Sequence, residues 1–405
     1  MANILPIAPR PAHVPPELVV DFDVYLPLES ASADYHEPYI RLQEQGVPPI
    51  FWSPRNGGQW VVTRRDLLNR IFADYDHFSS EQQLAPADEM QVRFRQFPVQ
   101  LNPPEHGLYR SLFSRAFTLP AVKLREDEVR LLARSLAEDL VPKGRCDFVA
   151  EFAQHLPMKV FMGMVDLPES DRIALIELAG TIVGPQSGDK QGAYMAIAEY
   201  IGRIIDDRTK NPGSDLISKV ATSTIEGRPI ERREAVSVCS LLLIGGLDTV
   251  ASISGHIMHF LAQNPAHRQR LVEEPAIIPA ATEEFIRRFA MTNPGRMIVK
   301  DMVYEGVTMK KGEMIALATP FGAVDPSAYD RADEVEFDRK SPTMTTFGNG
   351  PHRCPGNMLA RAEIRVMLEE WMPRIPNFRL DPDAAPVIRT GVNGSFASLP
   401  LVWDV

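Results

Sequence analysis

Residues 231–263 constrain this chain more than any other stretch. Apolar side chains recur there at helical spacing on nearly every face, and Asn264-Pro265 ends the pattern. As one helix the stretch would run roughly 50 Å, enough to cross a domain of this size. With the helical periodicity that dominates residues 102–211 and the short strand-like runs elsewhere, the fold class expected is mainly α with small β-sheets. A membrane span is the competing reading, but Asp248, His256 and several serines interrupt it. The centre reads Gly245-Gly246-Leu247-Asp248-Thr249. Two glycines inside a helix cost about 1 kcal/mol each relative to alanine. Close approach to a flat partner, opening of the hydrogen-bond ladder, or plain packing against another helix could offset that. Thr249 can turn its hydroxyl back to the carbonyl of Gly245, which bends helices. Asp248 is costly in an apolar helix unless paired, and such carboxyls gather where protons move.

A second stretch carries chemistry: Phe347-Gly348-Asn349-Gly350-Pro351-His352-Arg353-Cys354-Pro355-Gly356. Cys354 is the candidate metal ligand, since coordination deprotonates a thiol at neutral pH. Gly350 and Gly356 would let the chain turn beneath a flat cofactor where a Cβ would collide. The helix expected from Asn357 would aim its positive end at the sulfur. A buried structural thiol in a glycine-rich turn is the bland alternative.

This loop resembles the haem-ligand loop of the cytochromes P450, Phe-x-x-Gly-x-(Arg or His)-x-Cys-x-Gly, matched at Phe347, Gly350, His352, Cys354 and Gly356. Residues 245–249 resemble the oxygen-binding groove of the same family, and Glu284 and Arg287 match its Glu-x-x-Arg. Residues 13–23, 77–81 and 400–404 are similar to the camphor-hydroxylase branch, so the likeness spans nearly the full chain. The resemblance implies one haem-thiolate monooxygenase domain over residues 1–405, with haem b between the long helix and the Cys354 loop. It also implies dioxygen as co-substrate, and a ferredoxin with an NADH-dependent ferredoxin reductase as electron source. Asp248 and Thr249 would deliver protons for O–O cleavage, while Glu284 and Arg287 would be structural. His106, Arg110, Arg296 and His352 would hold the propionates, with Gly245, Phe347, Gly350 and Gly356 also against the cofactor. Arg110, Arg353 and Arg361 would form a docking patch for an acidic ferredoxin. The pocket walls implied are Leu84, Phe94, Leu241, Ile244, Met291, Thr292, Val392 and Asn393.

Two departures bear on function. Phe94 best matches the tyrosine that donates to the ketone in the camphor enzyme, and a phenyl ring cannot donate. Camphor then loses its polar anchor, and a compact apolar terpenoid or norisoprenoid becomes the expected substrate. Pro355 replaces a leucine after the ligand and offers no N–H towards the sulfur. A peroxide-driven peroxygenase and a non-catalytic haem sensor are the alternatives. The Asp248–Thr249 pair favours a true monooxygenase over both.

The net charge of −10 argues against a nucleic-acid partner, and the three cysteines, Cys146, Cys239 and Cys354, are too scattered for a disulfide framework. No apolar run of signal-peptide length opens the chain, so a soluble, cytoplasmic monomer is expected. Residues 1–35 read as a proline-rich irregular arm on the surface. A hairpin is expected at Ile50–Trp52 and Gln59–Thr63, and a mobile loop over 79–101. Helices dominate 102–211 with breaks near 142–144, 167–168 and 184–188, and short strands fill 297–317 and 376–405.

Overall fold

The computed structural model describes residues 7–27, 34–85, 95–183, 189–340 and 344–405. The helices around the site are α1 (Arg65–Ala73), α2 (Glu105–Ser114), α3 (Glu126–Leu140), α4 (His155–Val165), α5 (Arg172–Val183), α6 (Lys190–Lys210), α7 (Arg232–Leu247), α8 (Thr249–Gln263), α9 (Ile278–Arg288) and α10 (Asn357–Trp371). Among the strands are β1 (Ile50–Ser53), β2 (Gln59–Val62), β3 (Phe78–Ser79), β4 (Arg145–Asp147), β5 (Gly295–Ile298), β6 (Met314–Ala316), β7 (Arg379–Leu380), β8 (Val387–Arg389), β9 (Ser395–Ser398) and β10 (Pro400–Val402).

The long apolar stretch folds as two helices, not one. Asp248, at φ −101° and ψ −32°, separates α7 from α8. Thr249 Oγ1 donates to the Gly245 carbonyl at 3.2 Å, the bond expected to bend this helix. The ladder restarts where the Ser252 N–H meets the Asp248 carbonyl at 2.8 Å. By length and composition residues 232–263 could cross a membrane. In the fold α8 is a core helix, buried at every position from Val250 to His259 and packed against α4, α10 and β9.

Helix α10 presents the ligand loop and is braced from behind by α3. Arg130 and Arg134 of α3 reach Glu370 at 2.9 and 3.0 Å. The α10 residue Trp371 is fully buried edge-on against Phe148 and Phe152, with ring centroids 5.2 Å apart in both pairs.

A five-stranded sheet runs β1-β2-β6-β5-β3. The expected hairpin forms with Ile50 opposite Val62, and Asn56, Gly57 and Gly58 take φ of 58°, 82° and 88° in its turn. In the middle of the sheet Ile315 pairs with Trp60 on one side and Arg296 on the other, which fixes Arg296 inside the molecule.

One expectation fails here. The N-terminal arm is irregular but not superficial: Val14 and Val24 are fully buried, and Ser53 Oγ donates to the Phe22 carbonyl at 2.6 Å. Helices dominate 102–211 as expected, and directly after the break at 142–144 the short β4 pairs with β10, Cys146 opposite Leu401. The break at 184–188 lies outside the described residues, as do residues 86–94 of the loop.

Candidate active site

The loop that carries Cys354 is closed by its own backbone. The Cys354 N–H donates to the Phe347 carbonyl at 2.8 Å, and the Asn357 amide donates to the Cys354 carbonyl at 2.8 Å. Burial pushes the Cys354 thiol up, while the Gly356 N–H, Arg110, Arg361 and Arg353 favour the thiolate. α10 begins at Asn357, so its N-terminus does stand at the sulfur. The two glycines turn out to differ. Gly350, at φ +67°, would set a Cβ 2.6 Å from Ala73 Cα, so it is held in close approach to the end of α1. A Cβ on Gly356 would meet only the Cys354 sulfur, at 3.9 Å.

Beside the loop, cations and imidazoles converge. The His106 and His352 rings lie 4.2 Å apart, and Arg296 and Arg110 both act on His352. Burial is the main cause that brings His352 down to about 3, His106 to about 4 and Arg296 to about 10. His352 Nε2 is buried without a hydrogen-bond partner. Arg296 donates to the carbonyl of its neighbour Gly295 at 2.7 Å and makes no ion pair among the described residues. Arg110 Nη2 donates to the Arg353 carbonyl at 2.6 Å and ties α2 to the ligand loop. Among the described residues no carboxylate pairs with this cluster, and a carboxylate is what arginine forks match.

On the pocket side, the backbone brings the expected wall residues together. The Asn293 N–H donates to the Val392 carbonyl at 2.8 Å and the Gly394 N–H to the Met291 carbonyl at 2.9 Å. Thr292 and Asn393 face each other in an isolated bridge. Leu84 joins them because the Gly295 N–H binds the carbonyl of Gln83 at 2.7 Å. Leu241 and Ile244 lie three residues apart on α7, which sets both on one face of the helix that ends at Asp248. Gly245 is exposed, and a Cβ there would meet nothing within 4 Å, so open space borders the helix at its break. Phe94 lies outside the described residues.

Residues 159–390 match the family model described as Cytochrome P450. Over 403 residues the chain is 31% identical to the probable cytochrome P450 127A1 of Sinorhizobium fredii, covering 98% of this chain and 97% of that one. The chain belongs to the cytochrome P450 family. Its fold superposes on solved structures of CYP101J2 (TM-score 0.90, 36% identity) and CYP101C1 (0.89, 35%), each covering 98% of this chain and 100% of the other. A steroid C26-monooxygenase of Mycolicibacterium smegmatis is 31% identical over 322 residues, 76% of this chain and 79% of that one. P450 enzymes are monooxygenases that carry haem b. The residues here fit that group: the unpartnered His352 Nε2 and the anion-free Arg296 suit propionates, and the open faces of Gly356 and Gly245 suit a flat ring.

Glu284 and Arg287 are buried as expected, paired at 2.8 and 2.7 Å. Of the arginines expected to form a docking patch, Arg361 is bound by Glu283 at 2.6 and 3.1 Å, Arg110 keeps its charge while donating to the Arg353 carbonyl, and Arg353 is exposed.

Two residues escaped sequence reasoning. Arg389 pairs with Asp248; no motif surrounds it. Glu363 on α10 is buried, and burial pushes its carboxyl up to about 8. A carboxyl raised in the folded state supports folding fully below its ordinary value of 4.5, and that support is lost as pH rises through 8. Glu363→Gln should therefore raise stability at alkaline pH by roughly 3–5 kcal/mol and change little in mild acid. Urea midpoints at the two pH values check this, and a shift independent of pH would contradict it.

Proposed function

We propose that the protein inserts one oxygen atom from O2 into an unactivated C–H bond of a compact apolar terpenoid or norisoprenoid. Its electrons come from NADH through a ferredoxin reductase and a ferredoxin. It works as a soluble cytoplasmic monomer, one catalytic domain over the whole chain. The observation that carries this reading is the helix break that puts an acid, Asp248, next to an alcohol, Thr249, beside an open glycine face.

When bound, haem supplies the iron at which dioxygen is activated. Cys354 would hold the iron through its thiolate, eased towards that form by the Gly356 N–H and the nearby arginines. Arg110, Arg296 and His352 would bind the propionates, with the His106 ring set at a tilt against His352, centroids 4.2 Å apart. Thr249 presents a hydroxyl that can hold a proton at the break, and Asp248 would bring protons to it. Leu84, Leu241, Ile244, Met291 and Val392 supply apolar walls that exclude water and orient the substrate, while Thr292 and Asn393 close the far side. Phe94, in the position expected for an anchor, offers no donor to a ketone.

Pro355 leaves the thiolate with one donor fewer than an N–H bearing residue would give. Pro355→Leu should raise the reduction potential by tens of millivolts at matched spin state, read by redox titration; an unchanged potential would contradict it.

The test of function is a spectral screen of terpenoids for the low- to high-spin shift. Turnover of the hits with labelled O2, NADH, ferredoxin and reductase follows. Labelled alcohol is the expected product. Product from peroxide alone, with none from the reductase system, would mean a peroxygenase, and no product from either would mean a sensor.

A further inference from the structure

Each oxygen of the Asp248 carboxylate is already held by a donor. Oδ1 is paired with Arg389 Nη2; Oδ2 accepts from Ser252 Oγ at 3.2 Å and, at the edge of bonding range, from Asn393 Nδ2 at 3.5 Å. Arg389 ends β8 and Asn393 precedes β9, so two of the three donors come from the hairpin that closes the pocket. Arg389 is itself fixed. Its Nε donates to Ser395 Oγ at 2.9 Å, across the β8–β9 register, and its Nη1 lies 4.0 Å from where a Cβ on Gly180 of α5 would stand. The side chains are 16% and 10% exposed, so the pair is largely out of water, where a charge-assisted bond is strong and its geometry is kept.

We propose that Arg389 is the positioning residue for Asp248: it holds the carboxylate of the proton carrier in one orientation at the helix break. The proposal rests on the reading of Asp248 as that carrier. Without the guanidinium the carboxylate keeps only Ser252 and the long contact to Asn393, and is free to turn from this orientation. The pocket walls, by contrast, keep their backbone bonds to residues 291–293.

Holoenzymes carrying Arg389→Gln, Arg389→Lys, Asp248→Asn and the Gln/Asn pair test this. Arg389→Gln should cut the rate of product formation about tenfold, enlarge the solvent isotope effect, and leave the substrate dissociation constant within about twofold. Arg389→Lys should recover much of the rate, because the charge remains. In the Asp248→Asn background Arg389→Gln should add nothing to the rate, and its effect on the urea midpoint, which needs no turnover, should shrink to what the lost Ser395 bond contributes. Equal losses from Arg389→Gln in both backgrounds would overturn the proposal and leave the role of Asp248 standing. A wild-type rate and isotope effect in Asp248→Asn would overturn both.

Discussion

Arg287→Ala should give little or no folded, haem-loaded protein. The guanidinium is completely buried. It donates twice to Glu284, and to the carbonyls of Ala323, Ala332 and Glu334 at 2.6, 2.7 and 2.7 Å. Glu284 in turn accepts from the Glu336 N–H at 2.8 Å and from Arg339 at 3.0 Å. The pair therefore pins residues 323–339, which carry the chain towards the Cys354 loop, onto α9. Removing one partner of a buried, hydrogen-bonded ion pair costs ~3–5 kcal/mol, a large part of the ~5–15 kcal/mol that holds a typical domain folded. Arg287→Lys should fare almost as badly, since a single ammonium cannot serve five acceptors in a plane. Soluble yield, the urea midpoint and the ratio of haem to protein absorbance read the effect. A wild-type midpoint in Arg287→Ala would refute the structural role.

Thr249→Ala should leave NADH consumption running while product per NADH falls about tenfold or more, the scale of a lost proton-transfer group. In the fold the hydroxyl donates to the Gly245 carbonyl at 3.2 Å beside the open face of that glycine. Alanine removes the only group at this position that can hold a proton or order a water, yet keeps the helix. Asp248 stays paired with Arg389, so the acid alone cannot replace it. Electrons then leave as peroxide or water. Product and NADH are measured in the same reaction, and tightly coupled hydroxylation in the variant would count against the assignment.

What could be read in the sequence was what is encoded locally. Cys354 stands in a loop whose spacing is its own signature, Glu284 and Arg287 lie one turn apart, and Gly-Gly-x-Asp-Thr announces a helix under strain. The hairpin at residues 50–62 followed from its glycine turn. Tertiary contacts hid the rest. Arg389 acquires its meaning from a carboxylate 141 residues earlier in the chain, and β4, only three residues long, exists because β10 offers it an edge. Val14 and Val24 sit among prolines and acids that read as surface, and only the cluster that receives them makes them core. Gly350 is also required by the end of α1, nearly 280 residues away, a contact that no local pattern encodes. Similarly, Arg361 reads as a free cation in the sequence, and only the fold sets Glu283 of α9 against it.

Cys354 would hold the haem iron through its thiolate, and the carbon monoxide difference spectrum of the reduced protein tests this most directly. Wild-type protein should show a Soret band at ~450 nm, the signature of an axial thiolate, and Cys354→Ala should lose it while retaining its fold. A folded, haem-loaded wild-type protein with no band there would contradict the account.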